Sequence, residues 1–145
     1  MNILGCVVAI SIFLALNATA EEARPNLLHR EALRQLITEH VDCAMYYLAS
    51  SVCSKTGSAF ATQSRGASEI MMQRAYQLAA EAKSTQQAVT LHGKIMLDEI
   101  NKQIDGDCNK LVLLDEKYKM CKGLAEDFTV RGREILQKEI EEIGK

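Results

Sequence analysis

Four cysteines, Cys43, Cys53, Cys108 and Cys121, follow an apolar leader and constrain this chain more than any other feature. An even number of cysteines in a short exported chain implies disulfides, and four cysteines allow three pairings. The residues around the first pair carry helical periodicity. Leu33, Leu36, Ile37, His40, Val41, Ala44, Tyr47, Leu48 and Ser51 recur at steps of three and four. On one helix, Cys43 and Cys53 stand ~15 Å apart along the axis. A disulfide needs Cα atoms within about 7 Å, so these two cannot bond to each other. The same argument disfavours Cys108 with Cys121, so both bridges are expected to tie the first helix to the fourth.

An up-down-up-down topology, which short connections favour, then selects the partners. Gly57 and Gly106 fall at the same end of such a bundle. Cys53 and Cys108 lie ~6 and ~3 Å from that end, and Cys43 and Cys121 lie ~21 and ~22 Å from it. The levels match for Cys43–Cys121 and Cys53–Cys108. One detail strains the match. At ~100° per residue the two cysteine intervals turn their helices by different amounts, so bundle twist or a bend near Cys108 has to absorb the difference.

The leader supplies the compartment. Residues 1–20, MNILGCVVAISIFLALNATA, hold no charged side chain, and Ala18-Thr19-Ala20 forms a small-residue cleavage site just before Glu21, Glu22 and Arg24. This is the pattern of a secretory signal peptide. The apolar run is shorter than the roughly 20 residues of a spanning helix. Cys6 and the Asn17-Ala18-Thr19 glycosylation triplet would leave with it. Residues 21–145 then form a single helical domain, with 136–145 a charged, frayed tail.

Within that domain, Asn26 after Pro25 is expected to cap the first helix, and Lys55-Thr56-Gly57 to end it. Ser58 opens a second helix whose stripe is Ala67, Ile70, Met71, Ala75, Leu78 and Ala82, stable from about Ala67 because Gly66 interrupts its first half. Ser84 caps a third, with Val89, His92, Met96, Ile100 and Ile104 on one face. Asp105-Gly106-Asp107 is a turn signal with an Asp cap. Leu111, Leu114, Tyr118 and Cys121 carry a fourth helix that Gly123 interrupts, and Phe128, Ile135, Ile140 and Ile143 a last stretch ending at Gly144. The alternative is one long helix through Gly106, since the apolar phase continues across it and a mid-helix Gly costs only about 1 kcal/mol against Ala. The fold class is all-α, an antiparallel bundle of about four helices stapled by two disulfides.

Chemistry is sparse. With 17 basic and 19 acidic residues, interspersed, the chain has no nucleic-acid footprint. His40 and Cys43 are spaced i, i+3, yet Cys43 is committed to a bridge and a zinc site needs three or four ligands. His92 and Met96 read as core and rim rather than haem ligands, without a C-x-x-C-H. No G-x-S-x-G, phosphate loop or E-x-x-H occurs, and the acid pairs Asp98-Glu99 and Glu126-Asp127 lie on solvated faces. No catalytic residue, cofactor or metal is expected. Tyr47 and Met71 fit the buried stripes, which leaves Met45, Tyr46 and Met72 as the expected contact surface.

Cys43, Tyr46 and Tyr47 form a C-x-x-Y-Y opening in CAMYYLASSVCSKTG, and Lys117, Tyr118 and Cys121 a K-Y-x-x-C segment in IDGDCNKLVLLDEKYKMC. On these residues the chain resembles a group of small secreted helical proteins of proteobacteria. The resemblance covers the central two thirds of residues 21–145. It implies a bacterial exported, periplasmic location and no particular activity. The expected role is a non-enzymatic module that binds a protein or a cell-envelope component, with no nucleic acid and no membrane span after cleavage. The alternative is a small-molecule or lipid carrier with a cavity between helices.

Overall fold

The computed structural model describes the backbone from Leu4 to Glu126 and residues 134–135, 137–138 and 141, with side chains from His29 to Leu124 and at those last five positions. The expected features at Phe128, Ile140, Ile143 and Gly144, and the Glu126-Asp127 side chains, lie outside the described residues.

Helix α1 spans Leu4–Cys53, α2 Ala59–Glu81 and α3 Gln86–Ile104. A 3₁₀ helix, Cys108–Leu114, leads into two short helices, α4 Asp115–Tyr118 and α5 Met120–Glu126. No strand occurs among the described residues. The architecture is the all-α antiparallel bundle that the periodicity implies, with the fourth arm in three pieces.

The start of α1 departs from expectation. The helix does not begin at Asn26 but runs unbroken from Leu4 through Pro25. Residues on both sides of the expected cleavage site therefore share one helix, and Asn26 is not its cap. No described helix is long and apolar enough to cross a membrane. The far end behaves as expected. The helix stops at Cys53, and Gly57 takes φ +76°, the left-handed conformation that glycine adopts without a Cβ clash.

The hydroxyl of Ser58 accepts a bond from the Ala61 amide at 3.1 Å and caps α2. As the Ser58 cap implies, α2 begins at Ala59, and it is regular through the first half that Gly66 was expected to interrupt. Gly66 sits inside it, where the cap and the packed face outweigh a penalty of about 1 kcal/mol. Its buried face is Ser64, Ser68, Met71, Ala75, Leu78 and Ala79, and Ile70 points to solvent. These mostly small side chains let α2 lie close along α1, where Val41, Ala75, Ala79 and Val89 form a compact cluster.

Ser84 does not cap α3; Thr85 does, its hydroxyl accepting from the Ala88 amide at 3.2 Å. Ser84 instead closes α2. Its amide donates to the Ala79 carbonyl at 2.8 Å and the Lys83 amide donates to Ala80 at 3.2 Å, with Lys83 in the left-handed region at φ 55°. This double bond is a Schellman closure, and it uses a lysine where glycine is usual. At the other end of α3, Asp105 and Gly106 both adopt positive φ, which ends the helix and excludes the long continuous alternative.

Asp107 then accepts bonds from the backbone and side-chain amides of Asn109, each at 3.0 Å. The following turns wind as 3₁₀, where residues three apart share a side. Leu114 is buried and Leu111 partly so, while Val112 and Leu113 face out. The bend anticipated near Cys108 thus takes the form of tighter winding. The fourth arm breaks again at Lys119, and Gly123 does not interrupt it but lies within α5.

The main core joins Leu33, Leu36, Met71, Met96, Ile100, Ile104, Leu114, Tyr118, Leu124 and Ile135 around the buried Cys43–Cys121 bridge. Ile135, later in the chain than α5, is buried in this core.

Candidate functional site

Both bridges form as the level argument requires. Cys43 bonds Cys121 and Cys53 bonds Cys108, each with Cα atoms 5.3 Å apart. They close separations of 78 and 55 residues. Their surroundings differ. Cys43 and Cys121 are both 0 % exposed, whereas Cys108 lies at the surface and Cys53 is half-buried.

The two tyrosine motifs meet beside the inner bridge. Tyr46 follows Cys43 by three residues and Tyr118 precedes Cys121 by three, so in antiparallel register each tyrosine faces the other. Their rings stack at 4.6 Å between centroids and 15° between planes. The Tyr46 hydroxyl donates to the Asp115 carboxylate, and the Lys117 ammonium lies 5.2 Å from the centre of the Tyr118 ring. Burial, reinforced by the bond to Asp115, pushes the Tyr46 phenol well above its usual range. Cys-x-x-Tyr and Tyr-x-x-Cys are two halves of one clasp, with a covalent bond and an aromatic stack one helical turn apart.

This revises the expected contact surface. Met45 is not exposed; it is 7 % accessible, against α3, where Gly93 leaves it room. A Cβ at Gly93 would sit 3.6 Å from the Met45 sulfur and from Val41. Tyr46 is occupied within the clasp, and Met72 is partly buried against both core clusters. The three residues therefore do not form one outward patch. Tyr47 is partly buried and Met71 fully buried, as their stripes imply.

Instead, four large apolar side chains are exposed at the end where α1 finishes. Val52 is 71 % exposed and precedes Cys53. Phe60, in the first turn of α2, is 61 % exposed, and Val112 and Leu113 on the 3₁₀ helix are 64 % and 76 % exposed. Val52 adjoins Cys53 in the chain, and Val112 and Leu113 follow Cys108 on the same 3₁₀ helix. Sequence periodicity did not single out this end because its four residues come from three separate elements, and a stripe is read along one element at a time.

At the opposite end, a groove of about 420 Å³ opens between the early turns of the described part of α1, the α2–α3 turn and the start of α3. Arg30, Arg34, Lys83 and His92 line it over an apolar floor that includes Ile37 and Val89. His92 is fixed from behind. Its Nε2–H donates to Asp42 Oδ1 at 2.9 Å, on α1. Burial raises the Asp42 pKa, and the bond from His92 opposes that rise. The pair is 50 residues apart in sequence, and only the Val41-Asp42-Cys43 context, one carboxylate amid a buried stripe, hinted that it needed a partner.

His40 is buried outright, and its Nδ1–H donates to the Leu36 carbonyl at 2.7 Å. Burial lowers its pKa, so it serves as a neutral core group. Asp98 and Glu99 are exposed. Among the described residues, no three His, Cys, Asp or Glu side chains converge as metal ligands. No protein-family model, curated protein or solved structure matches this chain.

Proposed function

We propose that this protein is exported through its N-terminal leader and acts, without catalysis, as a stapled helical module that binds a protein partner or envelope component. The observation that carries the reading is the apolar end around Val52, Phe60, Val112 and Leu113, held in place by the Cys53–Cys108 bridge. Exposed apolar side chains gathered on a small domain mark interaction surfaces. The bridge keeps both flanking segments ordered before a partner arrives, which lowers the entropic cost of association.

Two disulfides suit an oxidising compartment, the periplasm or the exterior, and the leader pattern supports the same route.

The test is a pull-down from envelope extract with the wild-type chain and with Val52→Asp and Leu113→Asp. The reading expects a specific protein or envelope component retained by the wild type and lost with either variant, with helicity unchanged. Equal retention by all three chains would remove the apolar end from the account. A second reading, a small-molecule carrier, is favoured by the groove at the other end.

A further inference from the structure

The basic groove is an electrostatic exception in this molecule. The whole chain carries a net charge of −2, yet three permanent cations and one histidine line a single opening, and no Asp or Glu is among its described lining residues. Each cation is held by local structure. Arg30 and Arg34 lie one helical turn apart on α1 and so project from one face. Lys83 is presented by the left-handed closure of α2, a strained position for a residue with a side chain. Asp42 takes the Nε2–H of His92, so the neutral ring turns an accepting Nδ1 outward, and the three cations alone carry the recognition of an anion. Arg30 and Lys83 have no ion-pair partner among the described residues, and Arg34 meets only the exposed Glu31, at 3.1 Å.

We propose that this groove is a binding site for a phosphate monoester with a short apolar stem. Two guanidinium forks and an ammonium match the several oxygens and the near-double charge of a phosphate monoester. Ile37 and Val89 supply an apolar floor for the stem. The volume lies within the range of small-ligand clefts. This deepens the carrier reading and does not depend on the partner-binding role. From Arg34 to Cys53 the helix rises ~28 Å, so the two ends can be tested separately.

The experiment is amide NMR titration of the full chain, both bridges intact, with n-hexyl phosphate, inorganic phosphate, n-hexanol and dihexanoyl phosphatidic acid below its micelle concentration. Hexyl phosphate should shift the amides of Lys83, Ser84, Val89 and His92, bind more tightly than inorganic phosphate, and leave Val52 and Leu113 unmoved. Arg34→Gln and Lys83→Asn, the latter a neutral residue that tolerates the left-handed turn, should each weaken binding roughly tenfold. Glu31→Gln should tighten it by freeing Arg34, which a merely structural role would not do. Tighter binding of the diacyl probe assigns the site to a lipid headgroup, and the reverse order assigns it to a soluble ester. Hexanol shifting the same amides as strongly, or neither phosphate ester shifting them, would overturn the proposal while leaving the apolar-end reading intact.

Discussion

Tyr118 shows how one residue ties sequence to architecture. It is 3 % exposed, stacked on Tyr46, and three positions from a bridging cysteine. Truncating it to Ala removes a buried aromatic ring, a change that costs about 3–5 kcal/mol in protein cores. Tyr46→Phe keeps the stack and loses only the bond to Asp115, for about 1 kcal/mol or somewhat more. Urea unfolding of the two variants should therefore separate clearly, with Tyr118→Ala the weaker protein. His40 gives a pH signature. Its folded pKa is lowered from 6.5, mainly by burial, partly offset by its bond to Leu36. The stability it contributes is complete above 6.5 and is lost as pH falls below that value towards the folded one. The urea midpoint should fall over that window, and His40→Leu should flatten the fall. Asp42 has the opposite sign. Its raised pKa contributes stability below 3.8 that is lost as pH rises through the folded value, so at neutral pH the bond from His92 offsets a standing cost.

At the scale of elements, boundaries follow local chemistry that the sequence displayed unevenly. The Ser58 cap, the Gly57 turn and the Asp105-Gly106 break were legible, because caps and left-handed turns have residue signatures. The cap on α3 slipped from Ser84 to Thr85 because two adjacent hydroxyl residues offer the same signature, and the Schellman closure of α2 claimed Ser84. The broken fourth arm was not legible, since Leu111, Leu114 and Tyr118 keep phase in either winding. Two glycines test this level in opposite directions. Gly57→Ala should cost about 1 kcal/mol or more at a left-handed position. Gly66→Ala has open space and a helical backbone, so it should stabilise by about 0.5–1 kcal/mol. Thermal melts of the pair should shift in opposite senses.

Across the whole molecule, the covalent clamps do what a core of modest size does not. In the chain-entropy view each bridge contributes about 4 kcal/mol, less than additively because one loop nests inside the other. Access differs, so a mild thiol reductant should open Cys53–Cys108 first and leave Cys43–Cys121 intact, as timed alkylation and mass spectrometry would read. Simultaneous loss of both would mean that the inner bridge is not shielded by the packing described. The pairing was readable from the sequence because rise per residue is a fixed length. The basic groove and the Asp42–His92 pair were not, because they assemble from α1, α3 and the turn between α2 and α3, whose lateral placement no periodicity encodes. The expected surface of Met45, Tyr46 and Met72 failed for the same reason, since a neighbouring helix with a glycine facing Met45 is invisible from α1 alone.

Non-reducing peptide mapping of the protein recovered from its native compartment tests the central claim most directly. It should yield Cys43 linked to Cys121 and Cys53 linked to Cys108, on a chain whose N-terminus is Glu21. Free thiols, a crossed pairing, or an intact leader on the recovered protein would contradict an exported, stapled bundle.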